Sequence, residues 1–121
     1  MQSDIRRIIA VDAHRRRSGR CPVLVYSLGT GESFEIKPTA EGFIDLASGL
    51  TVRVADGQIL LPETRETIDI HMNGDVTFDG FDHASRESFS GRAGGGASVT
   101  LYDVGRVNYF QYAVVAEGDH L

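Results

Sequence analysis

Two hydrophobic periods divide this chain of 121 residues. Over residues 3–18, Ile5, Ile8, Ile9 and Ala13 share one face at i, i+3, i+4 and i+8, the spacing of an amphipathic helix. Ser3 suits the N-cap, and Asp4 lies in the first turn, where the helix dipole favours an anion. Arg15, Arg16 and Arg17 lie in the last turn, Gly19 follows as a C′ residue, and Pro22 bars continuation. The competing reading makes residues 7–11 a strand. The apolar stripe is short, so the helix is expected to pack on the rest of the domain.

From Pro22 onward the period is two. A loop of about five residues around Gly29-Thr30-Gly31-Glu32 pairs Tyr26 with Phe34 and Leu24 with Ile36. A three-residue loop at Ala47-Ser48-Gly49 sets Leu46 opposite Leu50 and Ile44 opposite Val52. Asp56-Gly57 is a two-residue turn that sets Val54 opposite Ile59 and Val52 opposite Leu61. In the stretch Ile68–Phe78, a two-residue turn at Asn73-Gly74 mixes the faces, whereas a three-residue loop at Asn73-Gly74-Asp75 sorts them. The loop sets Met72 opposite Val76 and Ile70 opposite Phe78, and places Asp69, His71, Thr77 and Asp79 together on the other face. A strand near residues 88–93, a Gly94-Gly95-Gly96 break and a last hairpin across Val104-Gly105-Arg106 follow. Residues 117–121 read as a frayed tail.

The pattern predicts a mainly β protein: an antiparallel meander of roughly eight to nine short strands, forming a small barrel or two-sheet sandwich, with one N-terminal amphipathic helix packed on it. The length suits one domain over 1–121, with the helix at 3–18, the meander at 22–116 and the tail after it. No tandem repeat of fixed period stands out.

Composition sharpens this only slightly. Fourteen glycines against three prolines fit tight turns between strands. Cys21 is the only cysteine, which excludes an intramolecular disulfide and fits a reducing compartment. No apolar run approaches the roughly 20 residues of a membrane span, and no signal-peptide core is visible, so the expected location is cytoplasmic, away from membranes. The net charge of −5 is uneven. Residues 1–20 carry six arginines against Asp4 and Asp12, a net +4, while the remainder carries six basic and fifteen acidic groups, a net −9.

Three groups of residues carry candidate chemistry. Asp69, His71 and Asp79, with Asp82 and His83 nearby, have the donor types of a divalent-metal site or of a base with its orienting acid. In the three-residue register Asp69 and Asp79 are directly opposed, a repulsion that something must neutralise. No H-E-x-x-H, paired C-x-x-C or EF-hand pattern accompanies them, and no cofactor is implied. Arg15, Arg16 and Arg17, with Arg6 and Arg7, have the charge for an acidic surface or for phosphates. The acidic body and the lack of interleaved aromatics argue against nucleic acid. Tyr102, Tyr109, Phe110 and Tyr112 form an aromatic strand whose neighbours point to opposite faces, so one set must meet something beyond the core. The reading favoured by these features is a non-enzymatic binding module with a protein partner or a second copy. A small-ligand barrel lined by Tyr26, Phe34, Tyr109 and Tyr112 is the alternative, and a metal-dependent hydrolase using the 68–79 polar face is the third.

Overall fold

The computed structural model describes residues 1–119. Helix α1 spans Ser3–Ser18. Ten strands follow: β1 (Pro22–Ser27), β2 (Glu32–Pro38), β3 (Gly42–Asp45), β4 (Leu50–Ala55), β5 (Gln58–Leu61), β6 (Glu66–Asn73), β7 (Thr77–Asp82), β8 (Glu87–Ala93), β9 (Ser98–Asp103) and β10 (Asn108–Ala116). Each pairs antiparallel with its sequence neighbours, and β1 pairs with β10, so the meander closes into a barrel. Closure leaves no free sheet edge.

The helix lies inside this barrel. Ile8, Ile9, Ala10, Val11, Asp12 and Ala13 are all fully buried. At 100° per residue, six consecutive positions circle the axis, so no side of the helix faces water. Its polar contacts reach different walls. Arg6 Nη1 is 3.2 Å from Asp103 at the end of β9, and Arg7 Nε is 3.0 Å from Asp45 at the end of β3. In the ring of ten these two strands are four places apart by the shorter way round, on different sides of the lumen. Eight strands enclose a space that side chains alone fill; ten leave more room, and here the helix takes it. Ile8, Ile9 and Val11 pack in one cluster with Val25, Phe43, Ile59, Leu61, Ile68 and Leu101 from the wall.

The amphipathic reading located the helix but not its surroundings. Ser3 is its first residue, not its cap; Gln2 holds the N-cap position with no side-chain hydrogen bond. Gly19 ends it as expected, at φ 71° with its N–H on Arg15 O.

Three registers differ from the sequence expectation. In β1–β2, Val25 faces Phe34 and Tyr26 faces Ser33, so Tyr26 and Leu24 point outward. In β3–β4, Phe43 faces Val52 and Asp45 faces Leu50, so Ile44 and Leu46 give up the lumen to Phe43 and Asp45. The physical reason is Arg7: Asp45 has to point inward to meet its guanidinium, and every residue on the strand follows that parity. In β6–β7, Met72 faces Phe78 and His71 faces Asp79, a shift of two residues that preserves the faces and moves the pairs.

The meander has a repeat of unequal step. The hairpins β1–β2, β3–β4, β5–β6, β7–β8 and β9–β10 all turn at one rim, through loops 28–31, 46–49, 62–65, 83–86 and 104–107. Each loop closes on a residue with positive φ: Gly31, Gly49, Arg65, Arg86 and Val107. Ser27↔Glu32, Asp45↔Leu50, Leu61↔Glu66, Asp82↔Glu87 and Asp103↔Asn108 are the equivalent flanking pairs. Two residues further on, Phe34, Val52, Ile68, Phe89 and Phe110 occupy the equivalent inward position in each second strand. No helix among the described residues is long and apolar enough to cross a membrane. The outward wall positions carry Glu35, Lys37, Arg53, Asp69, His71, Asp79 and Arg92.

Candidate functional site

Among the described residues, the hairpin rim carries the large exposed apolar side chains. Among the described residues the exposed large hydrophobic side chains are Leu28, Leu46, Val104, Val107 and Tyr109, the last two at 75% and 66%. Leu28, Leu46 and Val104 each open a loop of the repeat, Val107 closes one, and Tyr109 is the second residue of the strand after it. These loops belong to β9–β10, β1–β2 and β3–β4, which are consecutive around the barrel. The other two tips, Pro62-Glu63-Thr64-Arg65 and His83-Ala84-Ser85-Arg86, are polar. The rim is therefore divided into an apolar arc and a polar one.

Local structure explains why the arc stays exposed. A four-residue loop lifts its first residue off the barrel end, so Leu28, Leu46 and Val104 cannot reach the core. Tyr109 is opposite Tyr102 on the outer face, and their rings meet tilted at 54°, with centroids 4.7 Å apart. Beside Tyr109, a cleft of about 460 Å³ runs to the β1–β2 loop, between Leu28, Thr30 and Phe110.

The aromatic strand splits as alternation requires. Tyr102 and Tyr109 face out, whereas Phe110 and Tyr112 face the helix. Phe110 lies under the Arg6 guanidinium at 4.0 Å, and Phe34 lies under that of Arg7 at the same distance. Such stacking stabilises a buried guanidinium. Burial pushes the Tyr112 phenol above its ordinary pKa. The four residues expected to line a ligand lumen therefore do not converge. Phe34 and Tyr112 cover the helix, Tyr26 and Tyr109 lie outside, and the helix fills the space between.

Asp69, His71 and Asp79 share the outer face of β6–β7, as face sorting indicated. The expected opposition of Asp69 and Asp79 does not occur, because the two-residue shift puts Phe81 opposite Asp69 and His71 opposite Asp79. Each acid has its own neighbour. His83 Nε2 is 2.8 Å from Asp69, Gln58 is 3.3 Å from it, and Asn73 donates to Asp79 at 2.6 Å. The hydrogen bonds from His83 and then Gln58 hold the Asp69 carboxyl below the usual carboxylate range. Among the described residues, no group of three His, Cys, Asp or Glu side chains is placed to hold a metal ion.

The arginines serve the barrel. Arg16 bonds Asp12 at 2.5 Å and the carbonyls of Ala55 and Gln58; Arg17 bonds the carbonyl of Gly96. Arg15 is half-buried in the same turn. Arg6 and Arg7 are buried, and sequence periodicity missed their partners Asp45 and Asp103. The available signal was an acidic residue just before a turn in three of the five hairpins: Asp45, Asp82 and Asp103. The chain matches no protein-family model, no curated protein and no solved structure.

Proposed function

We propose that the protein is a non-enzymatic binding module that offers its apolar rim to a protein partner or a second copy of itself. The supporting observation is the gathering of every large exposed apolar side chain among the described residues onto three adjacent hairpin tips. Scattered single apolar residues need no explanation; a contiguous set rimmed by polar tips favours an interface. Tyr109 and Tyr102 have the amphipathic aromatic character enriched at such contacts. A lumen occupied by α1 favours this reading over an internal small-ligand site. The separate hydrogen-bond partners of Asp69 and Asp79 favour it over metal-assisted hydrolysis. Cys21, exposed and unpaired, fits a reducing compartment, and the proposed location is cytoplasmic.

Light scattering over a range of concentrations tests the self-association form. The expected result is a mass rising above the 13.2 kDa of one chain and returning to it in the Val107→Ser/Tyr109→Ser double variant. A single-chain mass at every concentration, together with no difference between wild type and variant in cross-linking to any partner, would remove the reading.

A further inference from the structure

At the rim opposite the hairpin tips, the end of α1 and the β8–β9 loop enclose a cleft of about 530 Å³. His14, Arg17, Ser18, Arg20, Gly96 and Asp119 line it. His14 is 3% exposed. Its Nε2 is 3.0 Å from the Gly96 carbonyl, so that nitrogen carries the proton, while the buried Nδ1 has no partner among the described residues. Arg17 Nη2 donates to the same carbonyl at 2.7 Å, and its buried Nε is also without a partner. The loop residues Gly96 and Ala97 line the cleft, and their amides donate to no described residue. Ser18 Oγ accepts the Arg20 amide and keeps its own hydroxyl proton to donate.

An anion already occupies part of this surface. The Asp119 carboxylate is 2.5 Å from Arg20 Nη1 and takes the Ala116 amide at 2.8 Å. It belongs to the stretch 117–119, which sequence pattern assigns to a frayed tail and which here is tied to Arg20. The carbonyl end of a helix repels anions. At this end, the Gly19 amide caps the Arg15 carbonyl, and Arg15, Arg16 and Arg17 line the last turn, so cations dominate the local field.

We propose that this cleft is an oxyanion site that takes a phosphate group, free or as a monoester, in competition with Asp119. Two guanidiniums, a hydroxyl and a run of glycine-rich backbone amides present more donors than one carboxylate satisfies. A tetrahedral phosphate oxyanion accepts from several directions at once. The open backbone at Gly94, Gly95 and Gly96, where an added Cβ would meet nothing within 4 Å, lets a ligand approach the loop closely.

Amide NMR on the full chain, titrated with sodium phosphate against sodium chloride of equal ionic strength, tests this. Saturable shifts are expected at Gly95, Gly96 and Ala97 by about 10 mM phosphate. Arg20→Ala, at an exposed position, and Arg17→Gln are each expected to weaken binding about tenfold, the loss of one charge-assisted hydrogen bond. Asp119→Asn, which removes the resident carboxylate, is expected to tighten it. O-phosphoserine separates the sources: tighter binding than phosphate indicates a phosphate carried on a larger molecule, and weaker binding the free ion. Shifts that never saturate, that chloride reproduces, or that persist unaltered in both arginine variants overturn the proposal, as would loss of binding in Asp119→Asn.

Discussion

Asp45 and Arg7 show most directly how single residues set this structure. Asp45 is fully buried, Arg7 nearly so, and the carboxylate receives both Nε and Nη2 of the guanidinium while Ser48 donates to it at 2.5 Å. A buried charge that loses its partner is left without water or counterion. Asp45→Ala is therefore expected to cost about 3–5 kcal/mol in urea unfolding, against under about 1 kcal/mol for Glu41→Ala in the exposed Glu41–Arg53 pair. Gly80 and Gly91 act by having no side chain. A Cβ at Gly80 would collide with the Asp69 carbonyl and the Phe89 ring, and one at Gly91 with the Thr100 carbonyl and the Phe78 ring. Each glycine sits across from the phenylalanine it accommodates. Gly80→Ala is expected to destabilise by about 1–3 kcal/mol or more in the same assay. His14 makes stability depend on pH. Burial, the largest cause, lowers its pKa below the ordinary 6.5. Below about pH 6.5 the unfolded chain therefore takes up a proton that the folded chain refuses, and stability falls as pH is lowered. The urea midpoint should drop between pH 7.5 and 5.5 by more in wild type than in His14→Gln; equal drops would exclude His14 as the cause.

At the scale of elements, α1 behaves unlike the surface helix its pattern suggests. A stripe of Ile5, Ile8, Ile9 and Ala13 leaves Ala10 and Val11 facing water, where a larger residue would be harmless. Inside the barrel both are fully buried. Ala10→Leu consequently separates the two pictures: an exposed position changes by no more than a few tenths of a kcal/mol in helix propensity, whereas the closed lumen loses about 1–3 kcal/mol to overpacking. Thermal unfolding followed by circular dichroism decides between them. The hairpins show the reverse balance, because their local chemistry was legible. Asp56-Gly57 fixed the β4–β5 register correctly from residue types alone. The four-residue loops 28–31, 46–49 and 104–107 differ by one residue from the expected five, three and three, since loops one residue shorter or longer are nearly as good turns and only the inward partner selects between them. Val107 at φ 52° illustrates the point: a β-branched residue in the left-handed region opposes its own preference, and the closed barrel imposes it.

On the scale of the whole molecule, barrel and helix are mutually dependent. Ten strands around an empty lumen would enclose a cavity lined by Phe43, Ile59, Leu61, Ile68 and Leu101. Deleting residues 1–18 is expected to remove cooperative unfolding and to raise binding of a hydrophobic dye, as packing is lost while strands persist in part. A cooperative melt in the deleted chain would show that the barrel closes without its core. The charge imbalance seen along the chain also acquires a meaning. The basic segment is neutralised largely within the molecule, by Asp45 and Asp103 at one rim and by Asp12 and main-chain carbonyls at the other. The proposed interface and the proposed oxyanion cleft occupy opposite ends of the barrel, so ligand at one need not obstruct the other.

The sequence by itself determined the helix, the antiparallel meander, the β4–β5 turn, and the faces of β6 and β7. Each is written in local periodicity or in turn chemistry, which neighbouring residues carry between them. Closure of β1 on β10, the passage of α1 through the lumen, the inward turn of Asp45 and the convergence of His14, Arg17, Arg20 and Asp119 were decided only in three dimensions. They join residues far apart in the chain, and hydrophobic pattern states that a face is buried without stating what covers it. A helix with one strong stripe reads as a surface helix until a ring of strands surrounds it, because burial of its polar side requires carboxylates that the sequence places 38 and 97 positions away.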